Sequence, residues 1–536
     1  MSDDRSPVQI REATEADAGA IIELFIAGYG DGYMYPQYYE DLSIRKMILS
    51  EGTLMFVAED ASGRLVGTAS VMLEIGAYSD LIGELGRLVV HPEFRNQGVA
   101  THLMRARLDR VKDRLHVGIV EARTIHPYAC RLATRHEFAP VGMLPNGLVF
   151  SNSREHAVLY MRHFGDALSL RNNHPRIIPE AYALAGLAME NVGLDLDVIV
   201  DEQAAPYPHG GDVQIEKLQA EGYTSLLRIE RGRVRNREVF GPLQLHYGRF
   251  KLLATHAHYL IARDGGRVVG AVGFILDRQD LHLRIFELIQ VDQAVARQLL
   301  ADLGRRAVEE WDLVTIEIDV AANAPSLQRT LLELDYRPAA YLPAHSFHAV
   351  ERRDVVKMWR LLQPAVVPSD ELPAAAMTVT EVVLEQLRQQ ERRPRIRRAL
   401  EDVLLCSDLT EEQAGRIEGL LEYTRLETGE RLFERGEPGD RMFLVTEGRV
   451  TIEGEDGAVG EVGPGGCVGE VALLTRAPHS ATAVASEPVE AGTLGREPLE
   501  RLVRQRPDIG VALYRNLARE LGEKLKQADL DISGAS

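Results

Sequence analysis

Between Glu84 and Met104 an apolar run, Leu85 to Val90, closes on His91-Pro92, and a short turn carrying Arg95, Gly98 and Ala100 opens an amphipathic helix. A strand that feeds a side-chain-poor turn at a helix N-terminus leaves backbone N–H groups free to converge on one anion, with the helix dipole behind them. Gly98 and Ala100 matter here because a larger side chain would keep a pyrophosphate off that backbone. The order Arg-x-x-Gly-x-Ala is not a Walker loop, since no Gly-Lys-Ser/Thr follows. Nor is it a dinucleotide fingerprint, since no third small residue falls in register. The segment commits this part of the chain to an α/β layer that receives an anion.

The rest of the chain divides around that segment. With 536 residues, it is too long for one hydrophobic core. Residues 8–165 read as one α/β unit: a capped helix after Thr14, strands at 54–59 and 65–73, the motif strand and helix, a strand at 118–124, a helix at 128–135, and a final strand ending near Pro145. The unit recurs in degraded form over 235–362. Phe56-Val-Ala-Glu-Asp-Ala-Ser-Gly-Arg-Leu-Val-Gly67 returns as Leu260-Ile-Ala-Arg-Asp-Gly-Gly-Arg-Val-Val-Gly270, and Pro127, Arg131, Pro140, Leu144 and Pro145 return at one constant offset as Pro325, Arg329, Pro338, Leu342 and Pro343. The repeat lacks the glycine turn: Asp292-Gln-Ala-Val-Ala-Arg replaces it. It is expected to keep the strands and lose the anion site. Residues 166–234 are a connector with one helix at 179–191, and 363–404 a Pro-rich linker with a charged helix. From 405 to 530 the rhythm changes to short strands punctuated by glycine, which predicts a small β-roll closed by a helical tail.

Composition narrows the function classes. A formal net charge of -19 argues against nucleic acid as the main partner. No run is long and apolar enough for a membrane span, and the first residues lack a signal-peptide core. Cys130, Cys406 and Cys467 fit neither a disulfide framework nor a metal spacing. These features predict a cytoplasmic protein without a metal, a membrane or a nucleic-acid partner. They leave a homodimer open.

The motif, with the strands and helices around it, resembles the acetyl-CoA loop of the GNAT N-acetyltransferases. The resemblance implies that Arg95, Asn96, Gln97, Gly98, Val99, Ala100 and Thr101 hold the pyrophosphate, and that the backbone of Leu88, Val89 and Val90 pairs with the pantetheine arm. Acetyl-CoA is then the co-substrate. Glu84 lies where the histone-acetyltransferase branch carries its general base, and a carboxylate in a half-buried cleft suits that task. Its structural alternative is a strand-end salt bridge. The family's general-acid Tyr falls here on Ala133, leaving Tyr128, Cys130 and His126 as substitutes, with Tyr128 the candidate chosen. Tyr29, Tyr33, Tyr35, Tyr38 and Tyr39, with Asp31, Glu40 and Asp41, lie where GNATs build the acceptor site, and they suit a cationic amine or simple packing over the core.

Leu432 to Val450 and Gly469 to Thr482 resemble the two halves of a cyclic nucleotide-binding domain. The phosphate cassette would be Gly469, Glu470, Val471, Ala472, His479, Ser480 and Ala481, with cyclic AMP as the effector. His479 stands where the family places an Arg, and a conditional charge without a planar fork predicts weak binding. No helix-turn-helix follows. The fold expected is therefore two GNAT-type α/β domains, each a central mixed sheet flanked by helices, followed by a β-roll with flanking helices. The expected function is acetyl transfer to a protein lysine or small-molecule amine under a regulatory or structural third domain. Bacterial lysine acetyltransferases fuse the same two domain types, and the enhanced-intracellular-survival aminoglycoside acetyltransferases are similar in their tandem units. The alternative is a non-catalytic sensor or scaffold that binds acyl-CoA and a nucleotide.

Overall fold

Strands of near-continuous apolar residues set the frame, because a strand buried on both faces must sit inside a sheet covered by helices on each side. The computed structural model describes residues 8–519 except 34, 74–79, 151–152, 211–212, 219–237, 241–256, 349, 367–370, 404–405, 407–408, 456 and 517. The chain divides into two units, Met1–Gln386 and Leu387–Ser536.

The first half of the large unit runs β1 (Gln9–Glu12), α1 (Ala18–Tyr29), α2 (Asp41–Leu49), β2 (Thr53–Glu59), β3 (Leu65–Met72), β4 (Ile82–Val90), α3 (Val99–Val111), β5 (Val117–Arg123), α4 (Tyr128–Arg135), β6 (Ala139–Phe150) and β7 (Ser153–His163). A two-residue pair follows, β8 (Arg176–Ile177) with β9 (Ile199–Val200), on either side of α5 (Pro179–Val192). The second half is β10 (Gln214–Lys217), β11 (Val239–Phe240), β12 (Ala257–Asp264), β13 (Arg267–Asp277), β14 (His282–Gln290), α6 (Gln293–Glu309), β15 (Thr315–Ala321), α7 (Pro325–Glu333), β16 (Arg337–His348) and β17 (Glu351–Leu361); α8 (Ala374–Asp402) comes next.

One 15-stranded sheet joins the halves in the order β1-β2-β3-β4-β5-β7-β6-β16-β17-β15-β14-β13-β12-β10, with β11 added on β15. Read from its two ends, the order repeats: the second half follows the connections of the first, with β10 in the place of β1. In each half one parallel pair interrupts the antiparallel ladder, β4 with β5 and β14 with β15. The halves meet where β6 pairs with β16 at Gly142 and Ala340. A Cβ on Gly142 would collide with the Ala340 side chain and the Ala339 carbonyl, so only glycine permits that approach. Apolar packing continues across the seam. Ala339 and Trp359 bury themselves with Leu144, Leu148, Phe25 and Tyr38 under α1 and α2. Helices α3 and α4 cover the opposite face with Met104, Leu108, Cys130 and Ala133.

Helix α4 falls on the residues the sequence indicated, while two strands differ. Strand β6 continues past Pro145 to Phe150, and β7 completes the unit. Gln214–Lys217, placed in the connector, is an edge strand of the second half. The connector's residues 219–234, the start of the second unit up to 256 (239–240 and 238 aside), linker residues 367–370 and the tail beyond 519 lie outside the described residues.

The small unit contains α9 (Glu411–Glu418), β18 (Glu422–Leu426), β19 (Arg431–Phe433), β20 (Arg441–Glu447), β21 (Val450–Gly454), β22 (Gly457–Val462), β23 (Cys467–Val468), α10 (Glu470–Thr475), β24 (Thr482–Ala485), β25 (Val489–Gly495) and α11 (Arg496–Gln505). Two four-stranded sheets, β18-β25-β20-β23 and β19-β24-β21-β22, enclose Leu426, Phe433, Phe443, Val445 and Val450. Among the described residues no helix is long and apolar enough to cross a membrane.

Candidate active site

Pairing between β4 and β5 stops at Glu84 and Ile119. Beyond that point the strands part, and β5 has no strand partner on its β4 side among the described residues. Strand β4 is also bulged: Thr68 faces Val89 and Ser70 faces Gly86, so Arg87 and Leu88 together oppose Ala69. Arg87 takes the left-handed conformation, φ +52°. On the far face of the sheet, the fully buried Arg107 of α3 donates to the carbonyls of Ser70 (3.1 Å) and Gly86 (3.0 Å), which the bulge would otherwise leave unsatisfied. Burial lowers its pKa to about 9, and Glu84 resists that shift.

Past the bulge the chain makes a 3-10 turn at Pro92–Phe94, and Gly98 (φ +82°) caps α3. Arg95, Asn96, Gln97 and Gly98 are exposed, and Val99 anchors the helix inside. Gly67 lets that anchor seat closely: a Cβ there would lie 3.0 Å from Val99 and 3.1 Å from Leu103. The first N–H groups of α3 thus face outward beside the parted strands, with Ala100 and Thr101 in that first turn.

Glu84 forms an ion pair with Arg87, whose guanidinium lies 5.4 Å over the Tyr35 ring. Burial opposes the charge on Arg87, but Glu84 with Tyr35, Tyr38 and Tyr33 together outweigh it and the pKa rises. Across the split stands Glu121 on β5, a residue the sequence reading passed over. It is exposed, and it has no hydrogen bond or ion pair among the described residues. Loss of hydration between the cleft walls, with the nearby charges of Glu84 and Glu317, pushes it up to about 7 against the pull of Arg87 and Lys357. Glu317 and Lys357 belong to the second half. There Lys357 bonds Glu317 (2.8 Å) and Asp319 (2.7 Å), and Arg284 lies 3.2 Å from Glu317.

The tyrosine segment divides its labour. Tyr33 and Tyr38 pack on Phe25 at 4.8 and 4.6 Å between ring centres and are core residues, whereas Tyr35 stays half-buried beside Arg87. Tyr128 projects from α4 with 67% of its surface exposed, its ring 5.1 Å from His126. Cys130 is buried, which raises its pKa.

In the second half the equivalent places are filled. Pairing of β14 with β15 ends at Ile285 and Ile318, and β11 takes over the β15 edge at Asp319 and Val320. Val239 and Phe240 are buried there, and Glu238 accepts hydrogen bonds from Tyr207 (2.6 Å) and Gln290 (2.9 Å). Gly210 lies against the first turn of α6, so close that a Cβ would stand 2.6 Å from that of Ala294; Gln298 donates to its carbonyl at 3.0 Å.

In the small unit Gly469 (φ +87°) caps the six-residue α10, with Glu470 and Ala472 buried, Val471 half-buried and Ser480 exposed; Ala481 leads into β24. His479 is buried with its ring stacked on Phe433, 3.7 Å between centres and 8° between planes. Burial lowers its pKa, against the opposing charges of Glu437 and Asp440.

A profile of the Acetyltransferase (GNAT) family matches residues 19–138, and one of the cyclic nucleotide-binding domain matches residues 423–506. Among curated proteins, the chain is 35% identical over 106 residues to a cAMP-dependent protein kinase regulatory subunit of Yarrowia lipolytica, covering 19% of this chain and 28% of that protein. It is 32% identical over 98 residues to the CRP-like cAMP-activated global transcriptional regulator of Mycobacterium tuberculosis, covering 17% and 44%. The chain spans less than half the length of these relatives. Among solved structures, the N-terminal domain of a transcriptional regulator from Streptomyces coelicolor A3(2) matches at 33% identity and a TM-score of 0.22, covering 24% of this chain and 94% of that one.

Proposed function

We propose, for a chain that joins a GNAT-family acetyltransferase domain to a C-terminal cyclic nucleotide-binding domain, that the first half of the large unit transfers an acetyl group from acetyl-CoA to an amine. The observation that carries this reading is the carboxylate of Glu121, without a hydrogen bond or ion pair among the described residues and set across the parted strands from the bulge of β4. The residues present fit acetyl-CoA. The outward N–H groups at Gly98–Thr101 suit its pyrophosphate, with Arg95 to Gln97 alongside, and the freed edge of Leu88–Val90 suits the amides of its arm. Acetyl-CoA supplies an activated thioester, and an amine attacks it only as the free base. Glu121 is poised to take that proton near neutral pH. Glu84, tied to Arg87, acts through Glu121 by holding its proton affinity up. Glu121 takes one ammonium proton before attack; as the C–N bond forms and the C–S bond breaks, a second N–H proton passes through water to the departing thiolate. The exposed Tyr128 is not needed for this sequence.

The second half is read as a relic of the same unit whose cofactor path is closed by the chain itself: Gly210 of the connector lies on the helix turn and β11 between the strands. The third domain is read as regulatory, with low affinity for a cyclic nucleotide at neutral pH because the stacked, neutral His479 offers its phosphate no charge. The deciding experiment is a free-thiol release assay with acetyl-CoA and a panel of amines and lysine peptides. Amine-dependent release supports the enzyme; acetyl-CoA binding with no release under any acceptor supports the sensor reading instead.

A further inference from the structure

A cavity of about 150 Å³ lies in the second half, between the outer strands β10, β12 and β13 and the C-terminal end of α6. Buried Leu260, Phe274 and Leu276 line it. Beside them stand Trp311, its ring 5.4 Å from that of Phe274, and His258, 5.6 Å from the same ring. The rest of the described lining is charged: the exposed Lys217 and Arg278, and Arg306 with Glu310.

The first half arranges the same place differently. Val99 and Leu103 of α3 seat against Gly67 as Val295 and Leu299 of α6 seat against Gly270, which makes Arg110 and Arg306 equivalent. Glu12 of β1 pairs with Phe56 of β2, and Lys217 of β10 pairs with Leu260 of β12, the residue that answers Phe56 in the repeat. Lys217 therefore stands in the place of Glu12. In the first half Arg110 donates to Glu12 at 2.7 Å. In the second half that acid is replaced by a cation, and Arg306 pairs instead with Asp302 at 2.6 Å and Glu310 at 3.2 Å. The one acid of the described lining is thus taken by Arg306, while Lys217 and Arg278 have no hydrogen bond or ion pair among the described residues. Two unpartnered cations border one aromatic-lined cavity, a match for an anion with an apolar body. A cavity of this size holds one six-membered aromatic ring, and its apolar floor offers a bare phosphate nothing to bond.

We propose that this cavity binds a single-ring aromatic carboxylate, the ring between Phe274 and Trp311 and the carboxylate on Lys217 and Arg278. The repeat that gave up the anion site at the start of its helix thereby carries a different one at the end. The proposal does not depend on acyl transfer, because it is read by binding alone.

The test is calorimetry on the full chain with benzoate as the probe. One site per chain is expected. Acetate, which lacks the ring, and benzyl alcohol, which lacks the charge, should each bind roughly 10-fold or more weakly than benzoate. Lys217→Glu restores the acid that the first half sets opposite its helix arginine, and should weaken benzoate binding by roughly 10- to 100-fold, the worth of a charge-assisted hydrogen bond. Arg278→Gln, in the turn after β13, should weaken it by a similar factor. An unchanged melting temperature shows that a variant has folded, and either folded variant decides the matter. No binding of benzoate, binding of acetate or benzyl alcohol as tight as that of benzoate, or benzoate affinity unaltered in a folded variant overturns the proposal.

Discussion

Arg107 and Glu121 show how single residues carry the site from opposite faces of one sheet. The bulge at Arg87 breaks the β3–β4 ladder, and Arg107, with no exposed surface, restores the lost bonds from behind. In front, Glu121 should govern the rate. Glu121→Gln is expected to lower kcat by roughly 10²- to 10⁴-fold near neutral pH; the wild-type pH profile should bend near 7, whereas the variant's should lack that bend and rise only with the fraction of free amine. Stability should run the other way. A carboxyl group whose folded pKa is raised contributes stability below its unfolded pKa and loses it as pH rises through the folded one. Thermal melts should therefore find Glu121→Gln more stable than the wild type at pH 8 and no more stable near pH 4. Glu84→Gln should move the inflection in rate to lower pH by removing a neighbouring charge; a uniform loss at all pH values would assign Glu84 to structure alone. In the third domain, His479→Arg should tighten cyclic AMP binding at pH 7.5 and abolish the tightening that the wild type shows on acidification, as read by calorimetry.

At the scale of elements, what was legible followed from local chemistry. Tyr128–Arg135 was readable because Pro127 starts it and apolar residues recur at helical spacing; the motif turn was readable because Gly98 needs its left-handed φ. Gly98→Glu should abolish acetyl-CoA binding in a titration, since it strains that turn and adds a carboxylate where phosphates belong. Strand β7 was not legible, as its apolar run, Ala157–Met161, is short and flanked by charged and polar residues, and no Gly or Pro separates it from β6. Nor was Glu121, one acid in a good strand, because only the fold sets it beside Glu84 and Glu317. A cap that was readable also holds the entrance to α1. Asp17 accepts from Thr14 (2.9 Å) and Arg11 (2.7 Å), and the Arg11 bonds draw its pKa down to about 2. Asp17→Asn should cost about 2 kcal/mol at neutral pH. Because the folded pKa is depressed, the difference from wild type should fade as pH drops from about 4 to 2, as urea denaturation at each pH would reveal.

Across the whole large unit, repeated topology does not mean repeated chemistry. Calorimetry should find one acetyl-CoA per chain, because Gly210 and β11 fill in the second half what stands open in the first; a second site of similar affinity would show that the connector gives way. The one-pair seam between β6 and β16 carries a further consequence, for synthesis on the ribosome. Strand β6 is complete long before Arg337 is made, so at typical elongation rates its outer edge waits roughly 10–40 s for its partner. An open edge of that kind is a template for a neighbouring nascent chain. Pro140 and Pro145 each remove a donor from it, and the register breaks at Pro140–Gly142 and Leu144–Leu148 kink what remains. The irregularities that leave the halves a single pair, Gly142 with Ala340, also make β6 a poor template for any strand but the one shaped to meet it.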